Sequence, residues 1–251
     1  MRPRWSSGPA GLVLVRHGES EGNLADARAR EQGAERLELD ARDADVPLSA
    51  AGREQGGALN RWLHGLADDD RPTLVVSSPY ERAAQTARLA LEGLDVPLEM
   101  DERLRERDLG LFDGMTGKGI RARHPEEAAR RDRLGKFWYQ PPSGESWADV
   151  VLRVRSLLAD LRHGHDGARL WLFTHQAVIM SFRHALEDLT EEELLEVDRR
   201  VQIPNASLTG YRREGDLLQP VSFADTSAVD ADAGAEVTRE PAQGGRGDGQ
   251  A

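Results

Sequence analysis

Short apolar runs alternate with segments of helical period along most of this chain, and that alternation limits the fold more than any other feature. Gly11–Val15 is apolar and β-branched at alternate positions, so it reads as a buried strand. Ser49 then opens a helix as N-cap, with Leu59, Trp62, Leu63 and Leu66 at helical spacing. Thr73–Val76 is a second strand, followed by a helix through Ala83, Ala84, Ala87, Leu89, Ala90 and Leu91. Leu98–Met100 is a third strand. The clearest helix carries Trp147, Val150, Val151, Val154, Leu157, Leu158 and Leu161 at steps of three and four. Leu170–Phe173 is again a strand, and a helix follows it to Leu186. Thr190 and Glu193 form a capping box for a further helix. Ser207–Arg212 and Leu217–Phe223 read as a terminal hairpin. Strands alternating with helices imply an α/β fold: a three-layer α/β/α sandwich around a mostly parallel central sheet. Residues 24–45 read as partly helical at best, and residues 101–144 as an irregular, charged cap or insert.

Parallel sheets place ligand sites at the carboxyl ends of their strands. Three predicted strand ends carry Arg16-His17, Ser77-Ser78-Pro79 and Thr174-His175. A histidine between a buried strand and a helix start sits where free N–H groups and the helix dipole favour phosphate. Arg16 beside it offers a planar fork of donors for phosphate oxygens. A neutral imidazole there can attack phosphorus and form a phosphohistidine. Arg16, Arg82 and His175 are candidates to stabilise the transferred group, whose charge spreads over its equatorial oxygens.

Composition removes several classes. The chain has 251 residues and no cysteine, so a disulfide scaffold, a thiolate nucleophile and a cysteine-based zinc site are excluded. The net charge of -11 argues against general nucleic-acid binding. No apolar run is long enough for a signal peptide or a membrane span, and a cytoplasmic setting is the expectation. His163, His165 and Asp166 lie on a Gly-rich turn, poor support for a metal site. Residues 1–10 are expected to be flexible, residues 11–223 to form the domain, and the acid-rich residues 224–251 to be disordered. Arg121, Arg123, Arg130, Arg131, Arg133 and Lys136 cluster within the cap, either attracting an anionic substrate or forming a solvated helix face balanced by Glu126, Glu127 and Asp132.

Arg16-His17-Gly18-Glu19-Ser20 resembles the opening signature of the histidine phosphatase superfamily, which includes the cofactor-dependent phosphoglycerate mutases. Pro47-Leu48-Ser49-Ala50-Ala51-Gly52 with Gln55, Ser77-Ser78-Pro79 through Arg82, Leu104 through Gly110, Gly144-Glu145-Ser146 and Thr174-His175 resemble its further motifs. The resemblance spans roughly residues 12 to 223 and implies a phosphoglycerate mutase-like fold. It implies His17 as nucleophile, with Arg16, Arg82 and His175 holding the phosphoryl group and Asn23 touching it. Glu106 would protonate the leaving oxygen and then help activate water, with neither cofactor nor metal. Leu109 and Gln176 stand where the mutases have tyrosine and glycine. Gln176-Ala177-Val178 and the 124–146 stretch look more like the fructose-2,6-bisphosphatase type, in which Lys136 and Gln176 would bind the sugar bisphosphate. Met180 stands where that group has an arginine. The expectation is a phosphatase acting on a small phosphorylated metabolite. A mutase and a non-catalytic phosphate-binding module remain as alternatives, and the oligomeric state is open, a dimer included.

Overall fold

Gly11–Arg16 forms the strand β1, flanked in the sheet by a parallel neighbour on one side and an antiparallel one on the other. In the computed structural model, which describes residues 2–5 and 7–240, the chain continues through α1 (Glu21–Gln32), α2 (Ala50–Gly65), β2 (Leu74–Ser77), α3 (Glu81–Ala90) and β3 (Leu98–Met100). Two helices follow in the cap, α4 (Gly117–Arg123) and α5 (Pro125–Leu134). Then come α6 (Trp147–Leu161), β4 (Arg169–Thr174), α7 (Gln176–Glu187), α8 (Glu191–Arg200), β5 (Leu208–Glu214), β6 (Leu217–Asp225) and the single turn α9 (Ser227–Asp230). The six strands lie in the order β3-β2-β4-β1-β5-β6. β3, β2, β4 and β1 run parallel, while β5 is antiparallel to both β1 and β6.

Period-two alternation along the strands builds the two covering layers. Leu12, Leu14, Leu170 and Leu172 face a core filled by α6 and α7, through Val150, Val154, Leu157, Ile179 and Phe182. Val15, Val75, Trp171 and Phe173 face the opposite core, built from Leu59 and Leu63 of α2 and Ala87 and Ala90 of α3. This is the α/β sandwich that the alternation implied. Register brings the strand ends level, with Arg16 opposite Thr174 and Ser77 opposite Phe173.

Three expectations are corrected. The described residue Trp5 is not loose: it is 1% exposed, and its backbone N–H donates to the Asp216 carbonyl at 2.7 Å. One buried indole covers enough apolar area to fix a short segment that composition marks as polar. Residues 101–144 are not mainly irregular. They hold α4 and α5 around a small core of Phe112, Met115 and Tyr139. The acidic tail packs against the fold as far as Glu240. Ala228 and Val229 are buried in the second core, and Val237 packs against it. These few apolar residues are diluted by acids in the composition, yet they suffice to bind the chain back onto the fold. Residues 241–251 lie outside the described residues.

Candidate active site

The strand ends and helix starts converge as the sequence predicts. The His17 N–H donates to the Thr174 carbonyl at 2.9 Å, which binds the loop after β1 to the end of β4. Ring centroids of His17 and His175 are 5.1 Å apart. His17 Nδ1 lies 2.7 Å from the Gly18 carbonyl oxygen. A carbonyl can only accept, so Nδ1 carries the proton and Nε2 keeps its lone pair. Burial holds the His17 pKa well below its ordinary value, and the neighbouring Arg82 and Arg16 guanidiniums lower it further. The same causes, burial first and then Arg82, keep His175 neutral. Near neutral pH, His17 is therefore a neutral imidazole with a fixed tautomer, the form a nucleophile requires.

The loop that carries His17 is held by a tight backbone approach. A Cβ on Gly18 would meet the Gly52 carbonyl oxygen at 2.7 Å, and a Cβ on Gly52 would meet the Glu19 carbonyl oxygen at 1.9 Å. Glycine at both positions lets the start of α2 press against the loop. Ser49 completes the contact: its N–H donates to the Glu19 carbonyl at 2.9 Å and its hydroxyl to the Glu19 carboxylate at 2.6 Å. Gln55 Oε1 accepts the Glu19 N–H at 2.8 Å.

Two guanidiniums bracket the histidines. Arg16 is 1% exposed, donates to the Ile203 carbonyl and pairs with Glu240, and its Nε has no partner. Arg82, in the first turn of α3, donates to the Asp43 carbonyl at 2.6 Å and pairs with the Asp43 carboxylate at 3.0 Å. His175 Nε2 lies 2.9 Å from Ser78 Oγ, while His175 Nδ1 is buried without a partner. His175 is also the N-cap of α7 and makes no side-chain cap, so the helix directs its amino-terminal donors toward the site. Buried donors without protein partners, beside cationic groups, are what a phosphoryl group would satisfy.

Glu106 is half-buried near the end of β4. Thr174 Oγ1 donates to the Leu104 carbonyl at 2.7 Å, fixing the segment that carries it. Arg153 reinforces this from α6: it donates to the carbonyls of Arg103 at 2.6 Å and Glu106 at 3.3 Å, and pairs with Glu145 at 3.0 Å. Burial pushes the Glu106 carboxyl pKa up. The Arg107 N–H it accepts at 2.8 Å and the Arg82 charge pull it back, and Asp43 and Glu240 push it further up. A carboxyl held toward its protonated form is suited to donating a proton near neutral pH.

The other predicted residues fall in different places. Asn23 lies in the first turn of α1, where its side chain closes the capping box by accepting the Ser20 N–H at 2.9 Å and donates to Glu240 at 2.8 Å. Gln176 is the first residue of α7, buried, with an unpartnered Oε1. Lys136 is drawn to Asp198, a carboxylate only 4% exposed, and lies 5.5 Å from the Trp147 ring centroid. The described residues hold no cluster of His, Cys, Asp or Glu fit for a metal ion, including around His163 and His165. No helix among them is long and apolar enough to cross a membrane. Within the cap's basic cluster, Arg123 pairs with Glu35 and Arg130 with Glu127.

Sequence reasoning missed Asp43, Asn205 and Glu240. Asn205, 1% exposed, donates from Nδ2 to the His17 carbonyl at 3.2 Å, and its neighbour Ala206 donates its N–H to the same oxygen at 3.2 Å. The sole local signal for Asn205 is an asparagine after Pro204 just before a strand, too common to single out.

The chain is 33% identical over 186 residues to 6-phosphofructo-2-kinase/fructose-2,6-bisphosphatase from Gallus gallus, covering 74% of this chain and 34% of that protein. It is 32% identical over 186 residues to 6-phosphofructo-2-kinase/fructose-2,6-bisphosphatase 1 from Homo sapiens, with the same coverage. The chain thus spans about a third of the length of these curated relatives. A solved mycobacterial glucosyl-3-phosphoglycerate phosphatase superposes with a TM-score of 0.68 at 28% identity, covering 86% of this chain and 99% of that one. Alpha-ribazole phosphatase from Shigella flexneri shares the fold, with a TM-score of 0.70 at 22% identity over 86% of this chain and 96% of its own. The family model for the histidine phosphatase superfamily (branch 1) matches residues 12–226, and on that match the chain belongs to this superfamily.

Proposed function

We propose that this chain hydrolyses a small phosphomonoester through a phosphohistidine on His17, in the cytoplasm and without a metal. The observation that carries this reading is the His17 ring itself: neutral, buried, its Nδ1 pinned to the Gly18 carbonyl and its Nε2 free. Nε2 attacks phosphorus, and the ester P–O bond breaks. The leaving oxygen takes the proton from Glu106. The imidazole then bears positive charge, which the Gly18 carbonyl stabilises through Nδ1–H. Glu106, now a carboxylate, accepts a proton from water as that oxygen attacks phosphorus. The P–N bond breaks, phosphate leaves, and both groups return to their starting forms. Arg16, Arg82, His175 and the amino terminus of α7 supply the positive charge and donors that the transferring group needs.

The relatives point to sugar phosphates and similar metabolites. A mycobacterial glucosyl-3-phosphoglycerate phosphatase has been solved with inorganic phosphate. The fructose-2,6-bisphosphatase relatives carry an activity toward a sugar bisphosphate in their name. Gln176 Oε1, buried and unpartnered next to His175, would accept from a substrate hydroxyl. Water rather than a second substrate oxygen is the acceptor in this reading, because Leu109 stands where the mutases place a tyrosine. The test is phosphate release from an aryl phosphate in excess EDTA, by the wild type and by His17→Ala. Activity that survives EDTA and vanishes in the variant supports the proposal. Activity that persists in His17→Ala overturns it.

A further inference from the structure

The described part of the carboxyl-terminal segment reaches the residues assigned to the phosphoryl group. After the turn α9 the chain runs back over the strand ends. Gln55 Nε2 donates to the Glu236 carbonyl at 2.8 Å and to Thr238 Oγ1 at 2.9 Å. Asn205 holds the next step: its N–H donates to the Thr238 carbonyl at 3.0 Å, and its Oδ1 accepts from Thr238 Oγ1 at 3.1 Å. Two residues later the Glu240 carboxylate meets the buried Arg16 guanidinium, and its Oε1 also accepts from Asn23 Nδ2 at 2.8 Å. Arg16 and Asn23 are two of the groups assigned to the phosphoryl group. The side chain that fixes Thr238 is the same Asn205 that holds the His17 carbonyl. The strap is therefore registered against the nucleophile loop and not merely lying nearby.

We propose that residues 236–240 form an intrasteric strap whose Glu240 carboxylate takes the seat of a phosphate oxygen, so that substrate binds only as the strap lets go. The inference rests on the phosphatase reading for its catalytic meaning, but the competition itself concerns only anion binding. A carboxylate and a phosphate both present acceptor oxygens to a guanidinium fork, and while Arg16 Nη2 is paired with Glu240 a phosphate competes with that carboxylate for the same amino group. Tethering raises the local concentration of the carboxylate at the site. The hold is releasable, because Glu240 is 27% exposed and the main chain of the strap is held by the Gln55 side chain at the Glu236 carbonyl and by the Asn205 backbone N–H at the Thr238 carbonyl. A phosphate of higher charge displaces it, and its apparent affinity is reduced by the fraction of molecules with the strap closed.

The test is inorganic phosphate binding by isothermal titration to the full chain as wild type, Glu240→Gln and Glu240→Ala. Both variants keep the Thr238 anchor and the α9 packing. A hydrogen bond between charged groups is worth enough that losing the carboxylate should tighten phosphate by about tenfold. Tightening in both variants is the expected result. Phosphate affinity equal to wild type in both overturns the strap. Tighter phosphate binding with no ester turned over by any form would leave the strap standing and remove the phosphatase reading. Turnover of an aryl phosphate with unchanged phosphate affinity in both variants would do the reverse.

Discussion

Gly52→Ala reverses the sign that helix propensity alone would give. Gly52 lies in the first turn of α2, where alanine should favour the helix by up to about 1 kcal/mol. The structure places the new Cβ 1.9 Å from the Glu19 carbonyl oxygen, whereas ordinary contact begins at 3.4 Å. One of the two segments must move by roughly 1.5 Å, the difference between those distances. That movement breaks the Ser49 to Glu19 backbone bond, about 1 kcal/mol, and adds overpacking strain of about 1–3 kcal/mol. The net is a loss of about 1–3 kcal/mol of stability. The moved segment adjoins His17, and a misplacement near 1 Å at a reacting group costs about 10²-fold in rate. Urea unfolding and kcat/KM on an aryl phosphate measure both effects. Gly57→Ala is the control, because its Cβ meets nothing closer than the end of the flexible Arg61 side chain at 3.3 Å. It should gain stability by about 1 kcal/mol and keep its activity. A Gly52→Ala protein as stable and active as the Gly57→Ala control would refute the argument.

The kcat/KM profile should be bell-shaped. Its acid limb follows protonation of His17, below the ordinary histidine range, and its alkaline limb follows loss of the Glu106 proton, above the ordinary carboxyl range. Asp43 raises the Glu106 pKa, so Asp43→Asn should move the alkaline limb to lower pH, and a shift to higher pH would contradict the assignment. Lys136→Ala leaves Asp198 buried without this partner and should cost about 2 kcal/mol in a urea melt. A variant of unchanged stability whose KM alone rises would show that Lys136 serves the substrate instead.

What the sequence revealed, and what it hid, follows from the range of each interaction. β1 and β4 were legible because buried strands need apolar residues on both faces, and Arg16-His17 and Thr174-His175 stood out as polar groups closing such runs. The Gly18 and Gly52 contact was legible only as a motif, since nothing in the spacing says that the two backbones touch. Trp5 and the strap were hidden by averaging, because one indole or the trio Ala228, Val229 and Val237 scarcely alters the composition around it. The Arg16 to Glu240 pair joins residues 224 positions apart, and no local pattern marks its partners. The bond of Lys136 to Asp198 depends on how α8 packs, which sequence spacing does not give.

The most direct test of the account is to trap the covalent intermediate. Glu106→Gln, incubated with an aryl phosphate whose good leaving group needs little protonation, should be phosphorylated quickly and hydrolysed slowly. Quenched in alkali and digested, it should then yield a His17 peptide heavier by one phosphoryl group. Turnover by the wild type with no phosphoryl group on His17 in that variant, or with the group on another residue, would contradict the mechanism.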